Sequence, residues 1–250
     1  MDRAERANEK YIQLFGEAPQ EISKDPDFMN ILQRFIFGEV FYEGEMEDKL
    51  RELLTISVLT TNQTFPQLKA HTKGALHTGA SAEEIKETVY QCAPYIGFVK
   101  VLNALEVVNE VFESENIPLP LASQSTTTEQ TRMEKGLAVQ KSIFGEDITK
   151  AYENAPDNQV IIQEYLSAMC FGDFYTRTAL DIKTRELITF CVLVALGGCE
   201  NQIKAHIKGN LSVGNQKQTL LTALIHCILY VGFPRTLNAL ACINEVLADA

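Results

Sequence analysis

The segment PQLKAHTKGALHTG, Pro66 to Gly79, returns 135 residues later as NQIKAHIKGNLSVG, Asn201 to Gly214, and this repetition constrains the fold more than any other feature of the chain. Extending it in both directions aligns Arg51–Phe112 with Arg185–Leu247, with one extra residue at Gly197-Gly198. Twenty-five of the sixty-two aligned positions are identical, where composition alone gives roughly four, so the chain is an internal duplication. The match continues upstream: FGEVFYE at Phe37 pairs with FGDFYTR at Phe171, and LFGE at Leu14 with IFGE at Ile143. Between the copies lies SENIPLPLASQSTTTEQ, a Pro/Ser/Thr-rich stretch suited to a linker. The organisation expected is a first repeat over 1–115, a linker over 116–129 and a second repeat over 130–250.

Each copy reads as all-helical. In KLRELLTISVLTT, Lys49 to Thr61, apolar residues fall at 50, 53, 54, 56, 58 and 59, too densely for one exposed face, so this is a buried core helix. The following segment carries apolar or small residues at 65, 68, 70, 75 and 76 and meets a terminating glycine at Gly79. Ser81 stands three residues before Glu84, the capping-box pattern, and opens a third helix that ends near Gly97. The last helix is FVKVLNALEVVNEVF in one copy and FPRTLNALACINEVL in the other, with Pro234 at its first turn. No segment shows the alternation of a strand.

Composition excludes several functions. A net charge of -11 and a pI near 4.9, with no cluster of basic residues, leave no electrostatic footprint for nucleic acid or an anionic membrane surface. No signal-like N-terminus and no uncharged apolar run of spanning length is present, so a cytoplasmic protein is expected. The six cysteines sit in apolar segments without a C-x-x-C, which argues against a disulfide framework and against a metal site. Cys92 and Cys227, at equivalent positions, read as core residues, and His77 and His226, which have no counterparts, read as structural.

The ordered set Arg-Glu-Leu, Gln-x-x-x-His-x-x-Gly-x-Leu-x-x-Gly, Tyr-x-Gly-Phe and Leu-Asn-Ala-Leu resembles the carboxymuconolactone decarboxylase family, over nearly the whole chain and twice. The second copy extends the likeness upstream through RMEKGLAVQKSIFGEDI and EYLSAMCFGDFYTRTALDIKTRELIT, so copy two is expected to matter more for activity. The resemblance implies an all-α fold of two tandem helical-bundle repeats of the carboxymuconolactone decarboxylase or alkylhydroperoxidase-D-like type. It implies ring-shaped homo-oligomers, which for a fused pair means a homotrimer forming a pseudo-hexameric ring with sites near repeat boundaries. Two chemistries are known for such proteins: cofactor-free decarboxylation of a lactone acid, and thiol-based peroxide reduction.

Decarboxylation of a lactone acid leaves negative charge on a carbon conjugated to the lactone carbonyl, which must be stabilised and then protonated. Gln67 and His71, like Gln202 and His206, are four apart and project from one helix face toward a common small ligand. The histidines are expected as acid/base, the glutamines as amide donors to the carbonyl, and Glu52 and Glu186 as carboxylates that orient the imidazoles and fix their tautomers. No cofactor is expected; the partner is a small-molecule carboxylic acid or lactone. In the thiol alternative Cys199, seven residues before His206, would be the nucleophile, but the second sulfur position is Gln202, and copy one has Thr64 and Gln67 there. A third reading is a non-catalytic oligomer that only holds a small acid. Arg51 and Arg185 are expected to pair with acids rather than bind substrate.

Overall fold

The computed structural model describes residues 1–18, 24–146, 148–149, 152 and 155–248, and among them there is no strand. Copy one contributes α1 (Arg3–Phe15), α2 (Pro26–Gly38), a 3-10 turn (Val40–Tyr42), α3 (Asp48–Asn62), α4 (Phe65–His77), α5 (Ala82–Gln91), α6 (Ala93–Ile96) and α7 (Phe98–Ser114). Copy two contributes α8 (Arg132–Phe144), α9 (Asp157–Tyr165), a π-helical stretch (Leu166–Tyr175), α10 (Ile182–Leu196), α11 (Glu200–Ser212) and α12 (Lys217–Ala248). The fold is therefore two tandem helical repeats, with α1/α8, α3/α10 and α4/α11 as equivalent pairs.

The equivalence extends to how helices end. Ser81 and Glu84 form both hydrogen bonds of the capping box at α5. Gly79 and Gly214 end α4 and α11 at φ of 90° and 92°. Where copy one breaks between α6 and α7 at Gly97 (φ 86°), copy two has a single long α12 with a non-helical residue at the aligned Gly232 (φ 73°), two residues before Pro234. Both positions need a backbone region that only glycine enters cheaply, so the break is written into the sequence at the same place twice. By length and apolar content α12 is sufficient to cross a membrane, with a mean hydropathy of 1.5 in its most apolar window, yet it is broken at Gly232 and its inner face packs in the protein core.

The core is common to both repeats. α3 and α10 lie against each other at its centre, and every residue from Arg51 to Thr61 and from Arg185 to Ala195 is buried. Leu54, Ile56, Val58, Ile188, Phe190 and Val192 belong to one continuous cluster that also takes Val89 and Cys92 from α5 and its end, and Leu220, Cys227 and Ile243 from α12. Each fully buried side chain of this size contributes about 1.5–3 kcal/mol of hydrophobic stabilisation. Cys92 and Cys227 are core residues, as their apolar surroundings suggested. Two smaller clusters lie outside this core, one tying α1 to α2 and one tying α8 to the π-helical stretch, and they form walls over the two histidines.

Candidate functional site

Each repeat builds a carboxylate–imidazole pair from its central helix and the helix that follows. Glu52 on α3 meets His71 on α4, with Oε2 2.8 Å from Nδ1; Glu186 on α10 meets His206 on α11 at 2.9 Å. Both glutamates are fully buried and both histidines are 8% exposed. Gly74 and Gly209, one turn beyond the histidines, make the approach possible. A Cβ there would stand 3.0 Å from Glu52 Oε2 and 2.6 Å from Glu186 Oε2, in the space the carboxylate occupies. The repeated His-x-x-Gly is thus one unit: the imidazole and the hole for its partner. Because Nδ1 of each ring is engaged by the carboxylate, Nε2 is the nitrogen available to a ligand.

Aromatic rings fix each imidazole from two sides. His71 makes edge contacts with Phe15 of α1 (5.7 Å between centroids) and Tyr230 of α12 (5.9 Å). His206 makes the same contacts with Phe144 of α8 (5.4 Å) and Tyr95 of α6 (5.7 Å). Tyr95 and Tyr230 are aligned residues of the repeated Tyr-x-Gly-Phe, and each serves the histidine of the other copy. Each site is therefore shared between repeats. Sequence reasoning missed these tyrosines as site residues, although their recurrence was a signal; which histidine they face depends on the packing of one repeat against the other.

Around His206 a polar chain supports the pair. Tyr175, at the end of the π-helical stretch, donates to Glu186 Oε1 at 2.7 Å and lies 3.0 Å from the Tyr95 hydroxyl and 2.8 Å from Thr189 Oγ1. Cys170 donates to the Tyr95 hydroxyl at 3.8 Å. Burial pushes both phenols well above their ordinary range and the Cys170 thiol up to about 12, so all three remain protonated donors. Around His71 the residue aligned with Tyr175 is Phe41, and Glu52 Oε1 is buried without a hydrogen-bond partner. Tyr230 instead accepts from Thr55 at 3.3 Å.

His71 opens on a cleft of about 1060 Å³ between α1, α2 and α4, which Gln67, Tyr230 and also His77 line. Gln67 and His71 thus share one cavity, as their spacing suggested. Gln202 is exposed on α11, one turn before His206. Cys199 stands at the N-cap position of α11 without capping it: its thiol donates to the Leu193 carbonyl of α10 at 3.3 Å, and burial, followed by Glu200 and Cys242, raises its pKa. The aligned Thr64 makes the same bond to the Leu59 carbonyl at 3.5 Å. A thiol held as a donor beside a carboxylate is the reverse of an activated nucleophile.

Neither arginine is exposed to a ligand. Arg185 pairs with Glu87 of the other repeat at 3.0 Å, bonds Gln91 at 2.9 Å, and donates to the Arg177 and Thr178 carbonyls. Arg51 donates to the equivalent carbonyls of Glu43 and Gly44, but among the described residues no carboxylate forms an ion pair with it. Among the described residues the expected ion pair therefore forms only at Arg185, with an acid from the other repeat, while Asp48 acts on Arg51 without pairing with it. The residues aligned with Glu87 and Gln91, which copy two contributes opposite Arg51, are Thr222 and His226. His226 is buried with Nε2 2.8 Å from Thr55 Oγ1 and 3.1 Å from the Arg51 carbonyl, a structural placement.

A 4-carboxymuconolactone decarboxylase of Acinetobacter baylyi is 31% identical over 122 residues, covering 48% of this chain and 90% of the relative. A nitrosuccinic acid decarboxylase of Metarhizium robertsii is 28% identical over 80 residues, 32% of this chain and 56% of that protein. A crystal structure from Burkholderia xenovorans LB400, provisionally described as a gamma-carboxymuconolactone decarboxylase subunit, superposes along the full chain with a TM-score of 0.59 at 21% identity, covering 100% of this chain and 99% of that one, and shares the fold. The model of the carboxymuconolactone decarboxylase family matches residues 26–110 and again 162–245, and the chain belongs to that family.

Proposed function

We propose that the protein is a cofactor-free carboxy-lyase that decarboxylates a small lactone acid or a related carboxylic acid, with His71 and His206 as the acid/base groups. The observation that carries this reading is the Glu–His pair, formed twice with Nδ1 bound at 2.8 and 2.9 Å. The pairing orients Nε2 toward the ligand, and the buried carboxylate behind the ring holds the imidazole in place as the proton donor. As the C–C bond to the carboxylate breaks, CO₂ leaves and its bonding pair moves into the conjugated carbonyl. The amide of Gln67 at the first site and of Gln202 at the second donates to that carbonyl oxygen. The Nε2 proton then goes to carbon, leaving a neutral imidazole with Nδ1–H on the glutamate. The aromatic rings packed against each imidazole lower the polarity beside it, which favours the dispersed charge of the transition state over the localised charge of the bound carboxylate. Two relatives named as decarboxylases support the reaction class.

The test is incubation with carboxymuconolactone and related lactone acids, following CO₂ release and product mass. Turnover of none of them removes the reading and leaves an oligomer that only binds small acids. Assembly belongs to the same proposal. Phe98, Val99 and Leu102 on α7, and the aligned Phe233 and Leu237 on α12, are large exposed apolar residues, an equivalent face presented twice. Three chains joined through these faces make a pseudo-six-fold ring of about 84 kDa, three times 27.9 kDa, by light scattering. A monomer whose mass does not change with concentration contradicts the ring.

A further inference from the structure

The cleft at His71 is larger and more apolar than a compact lactone acid needs. Its volume of about 1060 Å³ is at the upper end of those that enclose drug-sized ligands, roughly 300–1,000 Å³. One wall is a stripe along α2 formed by Phe28, Met29, Leu32 and Ile36, and its floor is closed by Tyr11 and Phe15, whose ring centroids are 4.7 Å apart. From Ile36 to Phe28 the stripe runs eight residues, about 12 Å of helix, the reach of an extended medium-length alkyl chain. Phe28, at the mouth, is 64% exposed, an apolar surface left open among the described residues. The polar groups of the cleft lie off the α2 stripe: Gln67 and His71, then Lys73 paired with Glu115 at 3.4 Å, with His77 beyond, and Glu17 beside Tyr11.

Three of the aligned positions of copy two are chemically different, while Ile162 and Leu166 keep the apolar character of Phe28 and Leu32. Gln140 stands where copy one has Tyr11, Gln163 where it has Met29, and Cys170 where it has Ile36. Gln140 is buried and accepts from Ser167 at 2.5 Å, and Ser167 accepts from Tyr152 at 2.7 Å, so a polar network holds the place of the Tyr11 ring. With the catalytic pair kept and its surroundings changed, the difference between the copies lies in what the rest of the ligand touches.

We propose that the first site takes carboxylic acids with an extended apolar tail, alkyl or arylalkyl. The head group lies at Gln67 and His71 and the tail along the α2 stripe. The orientation of the head rests on the decarboxylase reading; the tail preference rests on the cleft alone.

Calorimetric titration of the intact protein with butanoate, hexanoate, octanoate and decanoate tests it, because these saturated acids are not decarboxylated. Each methylene buried on the stripe raises affinity about fourfold, so the series should steepen markedly from butanoate to octanoate. Met29→Gln, which installs the residue of copy two, and Phe28→Ser at the exposed mouth should flatten the series. Phe28 is so exposed that its replacement leaves folding intact. Affinity independent of chain length overturns the proposal, as does a rise unchanged in both variants. Turnover of a lactone acid beside a flat series removes only the tail preference. A steep series in a protein that decarboxylates nothing removes only the lyase reading.

Discussion

At His206 the Glu186 carboxylate has both oxygens engaged, one by the imidazole and one by Tyr175, whereas at His71 Glu52 keeps the imidazole and leaves Oε1 buried and unpartnered. The same contrast recurs one layer deeper. Arg185 has Glu87 and Gln91 across the repeat interface, while Arg51 has Thr222 and His226 aligned there and an unpartnered Nη1. Duplication has preserved the pair, the glycine that admits it and the aromatic clamp, and has let the polar support change in one copy. An unsatisfied buried polar atom costs about 1–3 kcal/mol. The first site therefore leaves one carboxylate oxygen unsatisfied where the second bonds both, although Arg185 also keeps an unpartnered Nε, and the two are expected to differ in rate and in substrate rather than in reaction type.

The largest effect expected is loss of the acid/base group. His206→Ala and His71→Ala should each lower turnover at their own site by about 10²–10⁴, with a loss of about 1–3 kcal/mol in stability because each strands the Oε2 of a buried glutamate, so rates are compared at a temperature where both variants are folded. With a compact lactone acid the His206 variant should lose more, since its carboxylate is fully engaged. Wild-type rates in both single variants and in the double variant reject the assignment, and equal losses reject the functional difference between the copies.

Much of this was legible in the sequence, and what was not has physical reasons. The duplication, the helix ends at Gly79 and Gly214, the capping box at Ser81 and the buried character of α3 are local properties that residue pattern carries directly. So was the proximity of Gln67 to His71, a helix-face relation. The glutamate–histidine contact needed α3 and α4 to fold back on each other, which the short connection between them enforces. Tyr95, Tyr230 and the Glu87–Arg185 pair cross between repeats, and no periodicity within a repeat reports how the two are docked. Tyr175 sits at the end of a π-helical stretch, a geometry without a hydrophobic period of its own.

Removing the hydroxyl that distinguishes the two carboxylates is the next largest change. Tyr175→Phe gives copy two the residue of copy one and strands Glu186 Oε1, so a loss of about 1–3 kcal/mol in unfolding free energy is expected by denaturant titration. Phe41→Tyr, which offers Glu52 a donor, should have a smaller effect of opposite sign. If Tyr175→Phe is silent, the bond from Tyr175 does not separate the two sites.

His226, aligned with Gln91 and packed from copy two against α3, makes the seam behind the first site sensitive to acid. Burial, then the Arg51 guanidinium and then His71 lower its pKa to about 3, while Thr55, Tyr230 and Phe41 complete its surroundings. Below pH 6.5 the unfolded chain takes up a proton that the folded chain refuses, so stability falls as pH drops from about 6.5 toward 3, by at most about 1.4 kcal/mol per pH unit. Above pH 6.5 the group contributes no slope. His226→Gln, which copies the other repeat, should reduce the fall in melting temperature between pH 7 and pH 5.5; an unchanged fall assigns the acid sensitivity to other groups.

The smallest effect is expected at the position where the copies differ most in potential chemistry. Cys199 and Thr64 occupy aligned sites and make the same side-chain bond to an aligned carbonyl, 3.3 Å to Leu193 and 3.5 Å to Leu59. Cys199→Thr therefore exchanges one helix-start donor for another already proven in the fold. Lyase activity should stay within a factor of about two and the melting temperature within a degree or so, because substitutions that preserve local bonding typically change stability by less than about 0.5 kcal/mol. The raised thiol pKa leads to the same expectation for labelling, with slow alkylation of Cys199 at pH 7. Rapid peroxide consumption by the wild type that vanishes in Cys199→Thr would reverse the comparison: copy two would then hold a redox centre that copy one lacks, and the likeness of the two helix starts would be only geometric.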